Sequence, residues 1–129
     1  MPWKKANKEL IRLLENLMRN YVCDRRLMFG SPTFFVNGWM FTGVHEDTII
    51  LRFSELDRKE ISLQYKEVKP FSPMGTHVMK DYVALPITVD NQDYLLRHWM
   101  GRSYKYTKSL PPKIAKLPAE KRRQRRPKI

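Results

Sequence analysis

The sequence predicts an α+β fold, an antiparallel five-stranded sheet flanked by an N-terminal and a C-terminal helix, and three observations carry that prediction. Apolar side chains recur with a helical period over residues 7–22 and again near the C-terminal third. Between them the period falls to two, the signature of half-buried strands. Asn37-Gly38 divides two of the alternating runs, and that pair suits the two positive-φ positions of a tight hairpin turn. The element order read from the chain is α-β-β-β-α-β-β-α.

In the first helix, Leu10, Leu13, Leu14, Leu17 and Tyr21 form one stripe. Ile11, Met18 and Val22 widen it, Lys8, Arg12, Glu15 and Arg19 lie opposite, and Asn7 is the expected N-cap. Met28-Phe29-Gly30 then turns the chain, with Gly30 making the turn and the two larger side chains packed beneath it. Residues 33–36, 39–45 and 48–53 alternate as an antiparallel meander, with Glu46-Asp47 at its second turn. Ser54 opens a short helix reaching about Gln64, and Asp57 is the acid three residues on, as in a capping box. Two more strands are expected over residues 68–71 and 82–85, the last ended by Pro86. The final helix is expected from about Asp90, which can cap it, and it presents Leu95, Trp99, Ser103, Tyr106 and Leu110 on one face. Pro111-Pro112 stops it.

With 129 residues, 42% of them hydrophobic, the chain can bury roughly two-thirds of its unfolded surface in a single core. Cys23 is the single cysteine, so an intrachain disulfide is excluded and cytoplasmic residence is expected. The first residues run into an amphipathic segment, and no stretch of about 18 apolar residues occurs, so neither a signal peptide nor membrane insertion is expected. Charge is uneven: residues 113–129 hold eight Lys or Arg against Glu120 alone, which places +7 of the net +12 there. The expected division is a folded domain over 1–112 and a basic, disordered tail over 113–129.

The residues that usually carry catalysis are scattered. His45, His77 and His98 stand 32 and 21 residues apart without a cysteine beside them, so no metal and no cofactor are expected. Cys23 lies near Arg25 and Arg26, which would lower the pKa of an exposed thiol; the plainer reading is an ordinary thiol near a helix end. The carboxylates Glu46, Asp47, Glu55, Asp57, Glu60, Asp90 and Asp93 fall at turns, caps or on the short helix. None forms the acid pair in an apolar setting that general acid catalysis requires. Nucleophile elbows, phosphate loops and dinucleotide fingerprints are absent. The chain reads as a non-enzyme.

Two stretches suit binding. The loop over 71–82 offers Phe71, Pro73, Met74, Gly75, Met79 and Tyr82, a mixture of adaptable and broad apolar surfaces fit for a small molecule or peptide. The same residues also serve structure, with prolines stiffening the connection, Gly75 turning it, and Phe71 and Met79 filling the core. In the tail, Lys121, Arg122, Arg123, Arg125, Arg126 and Lys128 give six cations in eight residues. Each can neutralise one DNA or RNA phosphate without reading bases. Tyr104, Lys105, Tyr106 and Lys108 would extend that surface, although Tyr106 also suits the core. A protein partner, or a homodimer through an exposed sheet edge or helix face, is the remaining possibility.

Taken in order, several short runs form a larger pattern: Met28-Phe29-Gly30-Ser31-Pro32, Phe35-Val36-Asn37-Gly38, Met40-Phe41-Thr42-Gly43-Val44, Leu51-Arg52, Lys69-Pro70-Phe71-Ser72-Pro73-Met74-Gly75, Met79-Lys80-Asp81-Tyr82 and Ser109-Leu110-Pro111-Pro112-Lys113. This pattern resembles the N-terminal domain of the TfoX/Sxy family over roughly residues 5–113. The resemblance implies a small α+β module of the same arrangement, acting as a non-enzymatic regulatory or accessory protein in transcription. The family's competence regulators pair this module with a second, C-terminal domain. Here about 17 residues follow the resemblance, so a stand-alone module is expected.

Overall fold

The computed structural model describes residues 6–28, 30–72, 78–86 and 93–113. Its elements run α1 (Lys8–Met18), β1 (Asp24–Met28), β2 (Ser31–Val36), β3 (Trp39–His45), β4 (Thr48–Arg52), α2 (Glu55–Gln64), β5 (Lys69–Phe71), β6 (Met79–Pro86) and α3 (Asp93–Ser109). The strands make one sheet in the order β1-β2-β3-β4-β6-β5, antiparallel throughout. The α+β class stands, but the described sheet has six strands where the sequence predicts five.

The additional strand is β1, paired with β2 from Asp24 opposite Phe35 to Met28 opposite Ser31. All five of its residues are exposed. Asp24-Arg25-Arg26 shows no apolar alternation, so backbone pairing rather than side-chain burial defines this strand. The expectation that Met28 packs beneath the turn is corrected by its exposure, and Phe29 lies outside the described residues. Gly30 supplies the turn at φ +76°. The β2–β3 hairpin follows the sequence reading, with Asn37 at φ +54° and Gly38 at +81°.

Asn7 caps α1 as expected, its Oδ1 accepting from the N–H groups of Glu9 and Leu10 at 2.9 and 3.2 Å. Its Nδ2 donates to Asp47 Oδ1 at 3.1 Å and its backbone N–H to the Glu46 carbonyl at 2.8 Å, tying the helix start to the β3–β4 turn. The helix ends at Met18, before Tyr21 and Val22, because the chain must turn there to enter β1. Val22, assigned to the apolar stripe, is exposed. Ser54 caps α2 by accepting from the Asp57 N–H at 3.2 Å. The expected Asp90 cap of α3 lies outside the described residues.

All three helices contribute to one large apolar cluster. Leu10, Leu14, Leu17 and Met18 of α1, Ile61 of α2, and Leu96, Trp99 and Met100 of α3 pack with Phe34, Phe41, Ile49, Leu51, Phe53 and Val83 from the sheet. The buried face of α3 is Leu96, Trp99, Met100, Ser103 and Thr107, while Leu95, Tyr106 and Leu110 are only half-buried, so the predicted face is corrected by a rotation. The rotation works because two hydroxyls find carbonyls. Ser103 Oγ donates to Phe41 O at 3.1 Å, and Thr107 Oγ1 donates back to Ser103 O at 2.8 Å. Phe41 is the extra residue of a bulge, since Phe34 pairs with Thr42 and Phe35 with Met40.

Candidate functional site

A second apolar cluster consists of strand residues alone. Ile50, Phe71 and Tyr82 are buried, with Met40, Met79 and Ala84 packed against them, and among the described residues no helical side chain joins this cluster. It is therefore separate from the helix-covered core. Within β4 the alternation divides the two, with Ile49 and Leu51 in the helix-covered cluster and Ile50 in the other. Of the loop residues singled out from sequence, Phe71, Met79 and Tyr82 come together here, while Pro73, Met74 and Gly75 lie outside the described residues. Phe71 pairs with Met79 across a register shift beside Pro70, a residue with no ladder N–H to give. The His45 ring meets Phe71 edge-on with centroids 5.2 Å apart.

Beside this cluster lies a buried cation. The Arg52 guanidinium sits 4.7 Å from the Trp39 ring centroid and 5.3 Å from that of Tyr82. Its Nη1 donates to Tyr82 Oη at 3.0 Å and its Nη2 to Asp81 Oδ2 at 3.0 Å. Tyr82 in turn donates to the Met40 carbonyl at 2.8 Å. Asp81 is shared with Arg58 at 3.3 Å, and Arg58 also donates to the Phe53 carbonyl. Among the described residues Arg52 Nε has no hydrogen-bond partner. Burial pushes the Tyr82 hydroxyl above its ordinary pKa, with the Arg52 charge opposing. This arrangement fixes β3, β4 and β6 against one another.

Sequence reasoning noted Arg52 only within the family-like pattern and did not assign Trp39 to a site. The available signal was an arginine within the apolar run of β4, at the parity of Ile50, where an exposed charge would interrupt the alternation.

The remaining candidates divide. Cys23 is half-buried with its Sγ 3.7 Å from the Tyr21 carbonyl, and burial together with Asp24 pushes its thiol pKa up rather than down. Arg25 is turned to Glu15 at 2.6 Å. On α3, the Tyr104 ring packs on Tyr21 and Phe41 at 4.8 and 5.3 Å and its hydroxyl donates to Val22 O at 2.8 Å, whereas Lys105 and Lys108 are exposed. Arg102 is paired with Asp57 and Glu60 of α2. Among the described residues no three His, Cys, Asp or Glu side chains gather as a metal site. His77 and the tail cations Lys121, Arg122, Arg123, Arg125, Arg126 and Lys128 lie outside those residues.

The route to the tail is fixed at its start. Trp39 Nε1 donates to Pro111 O at 2.8 Å, the Lys113 N–H to Asn37 O at 2.8 Å, and Asn37 Nδ2 to Lys108 O at 2.8 Å. Lys113 Nζ lies 5.0 Å from the Trp39 ring centroid. The chain thus reaches residue 113 strapped to the β2–β3 hairpin.

No helix among the described residues is long and apolar enough to cross a membrane. No curated protein and no solved structure matches the chain. A family model for the TfoX N-terminal domain matches residues 15–106, a span that starts inside α1, crosses all six strands and ends inside α3. That membership points to a binding or regulatory module in general. Over most of its length, then, this chain belongs to the TfoX N-terminal domain family.

Proposed function

We propose that this protein is a non-enzymatic regulatory module that associates with DNA or RNA through its cationic C-terminal tail. The observation that carries the reading is the strap at Pro111–Lys113: it holds the chain to the β2–β3 hairpin just ahead of the cationic stretch, and Lys113 there and Lys105 and Lys108 of α3 are exposed. Six of the tail's cations lie within residues 121–128, and each would displace one counterion on meeting a phosphate. The test is fluorescence anisotropy with DNA and RNA at several salt concentrations, using the native chain and a variant with Lys121, Arg122, Arg123, Arg125, Arg126 and Lys128 all changed to Gln. The expected native slope of log affinity on log salt is about −5 for duplex DNA, nearly abolished in the variant. Equal binding by both chains would move recognition onto the fold, and absence of binding near physiological salt would end the nucleic-acid reading.

A second reading has its own observation, the convergence of Phe71, Met79 and Tyr82 with Met40 and Ile50. In it the loop over 71–82 holds a small molecule or peptide without catalysis. Native mass spectrometry of the freshly purified protein tests it: an adduct lost in Met79→Asp supports the reading, and a bare mass from every preparation removes it.

A further inference from the structure

We infer that β1 is a self-association edge, pairing antiparallel with β1 of a second copy to join two sheets across a two-fold axis. Among the described residues β1 is terminal in the strand order and pairs on one side only, which leaves the backbone groups of its other side without a strand partner there. Thr33 Oγ1 of β2 donates to the Arg26 carbonyl at 3.0 Å, which marks Arg26 as facing β2. Directions alternate along an antiparallel strand, so Arg25 and Leu27 turn their N–H and C=O groups outward. Only registers that pair outward-facing residues with one another can form bonds, and these keep both sets of helices on the same face of the joint sheet.

Among those registers, one matches the side chains. With Arg25 on the two-fold axis, Asp24 faces Arg26 of the second copy, and the symmetry repeats that pair. Val22 and Cys23 precede β1; carried on in the same register, Val22 would face Met28 and half-buried Cys23 would face Leu27, so exposed Val22, Leu27 and Met28 flank the charged pairs at both ends. Arg25 meets its own symmetry mate, but each is already held by its own Glu15 at 2.6 Å. Shifting the axis to Arg26 sets Arg26 against Arg26 and leaves Asp24 opposite Met28, without an opposite-charge pair. Charges on an edge strand ordinarily discourage pairing. Here their order selects a second copy of this chain.

The test uses the full chain in sedimentation-velocity runs across a concentration series, with Arg26→Asp, Asp24→Arg and the double swap. Native chain should approach twice 15.5 kDa. Either single reversal should weaken association about tenfold or more, and the swap should restore it, because two cross-strand pairs change sign together. An independent readout is Leu27→Cys under mild oxidant, which should trap a covalent dimer through Cys23 of the other copy. Within one strand, positions 23 and 27 are about 13 Å apart, too far to bridge. A native chain that stays monomeric throughout overturns the inference, as does a dimer indifferent to both reversals and not trapped by Leu27→Cys.

Discussion

Arg52 is a buried cation whose partners reach it from two other strands, Trp39 of β3 and Asp81 and Tyr82 of β6. Arg52→Ala should cost about 3 kcal/mol in urea unfolding, since it removes a buried guanidinium that two rings pack on, takes one donor from the Tyr82 hydroxyl, which keeps its bond to Met40 O, and weakens the hold on Asp81. The retained Arg58–Asp81 pair keeps that loss below the cost of orphaning a carboxylate outright. Arg52→Lys should recover only part, because a point charge cannot serve Tyr82 and Asp81 in one plane. Tyr82 adds a pH dependence of known sign. Burial raises its pKa in the folded state, so the unfolded chain loses that proton first. Its contribution is full below the ordinary tyrosine range and declines as pH rises through about 10. Thermal unfolding of Tyr82→Phe between pH ~9 and ~11 should therefore fall less steeply than that of the native chain. Some slope should remain, because Tyr21 is shifted upward by burial as well. Phe71, Met79 and Tyr82 were legible as a group because one short connection carries them. Arg52 was not, since its rings arrive through long-range strand register, which local periodicity does not encode.

At the level of elements, legibility followed burial. α1, the Asn37-Gly38 hairpin and α2 announce themselves through apolar spacing, a positive-φ pair and a capping serine. β1 does not, because an exposed edge strand needs no apolar face. The face of α3 was misjudged for a related reason: Thr107 looks like a surface residue until its hydroxyl is seen bonded to the carbonyl of Ser103. Gly43, within the family-like pattern, has a role that only pairing reveals. It lies opposite Thr33, and a Cβ there would stand 2.9 Å from Thr33 Cγ2. That methyl belongs to a stiff β-branched side chain, so it cannot swing aside cheaply. Gly43→Ala should destabilise the protein by about 1–3 kcal/mol. Thr33→Ser removes the methyl and keeps the hydroxyl that bonds Arg26 O, so combining the two should restore most of the loss in a double-mutant cycle. Additive losses would show that the obstacle is backbone rather than this methyl.

For the whole molecule, the strap joins the end of the described chain to a hairpin more than 70 positions earlier, and so links C-terminal stability to the β2–β3 turn. A chain ended after Lys113 keeps the Trp39–Pro111 and Asn37–Lys113 bonds, whereas one ended after Ser109 loses both. At about 1 kcal/mol net for each bond, the shorter chain should be less stable by about 2 kcal/mol. Gly38 tests whether that difference comes from the strap. It sits at φ +81°, and a Cβ there would approach the Lys113 carbonyl oxygen to 3.0 Å. Gly38→Ala therefore carries two penalties in the chain ended after Lys113, a left-handed backbone of about 1 kcal/mol and the crowding of the strap. Only the backbone penalty survives in the chain ended after Ser109. Chemical denaturation of the four proteins should accordingly give a smaller Gly38→Ala loss in the shorter background. Equal losses would mean that residues 110–113 rest on the hairpin without supporting it, and that the tail leaves the fold from Ser109 rather than from a point fixed at Lys113.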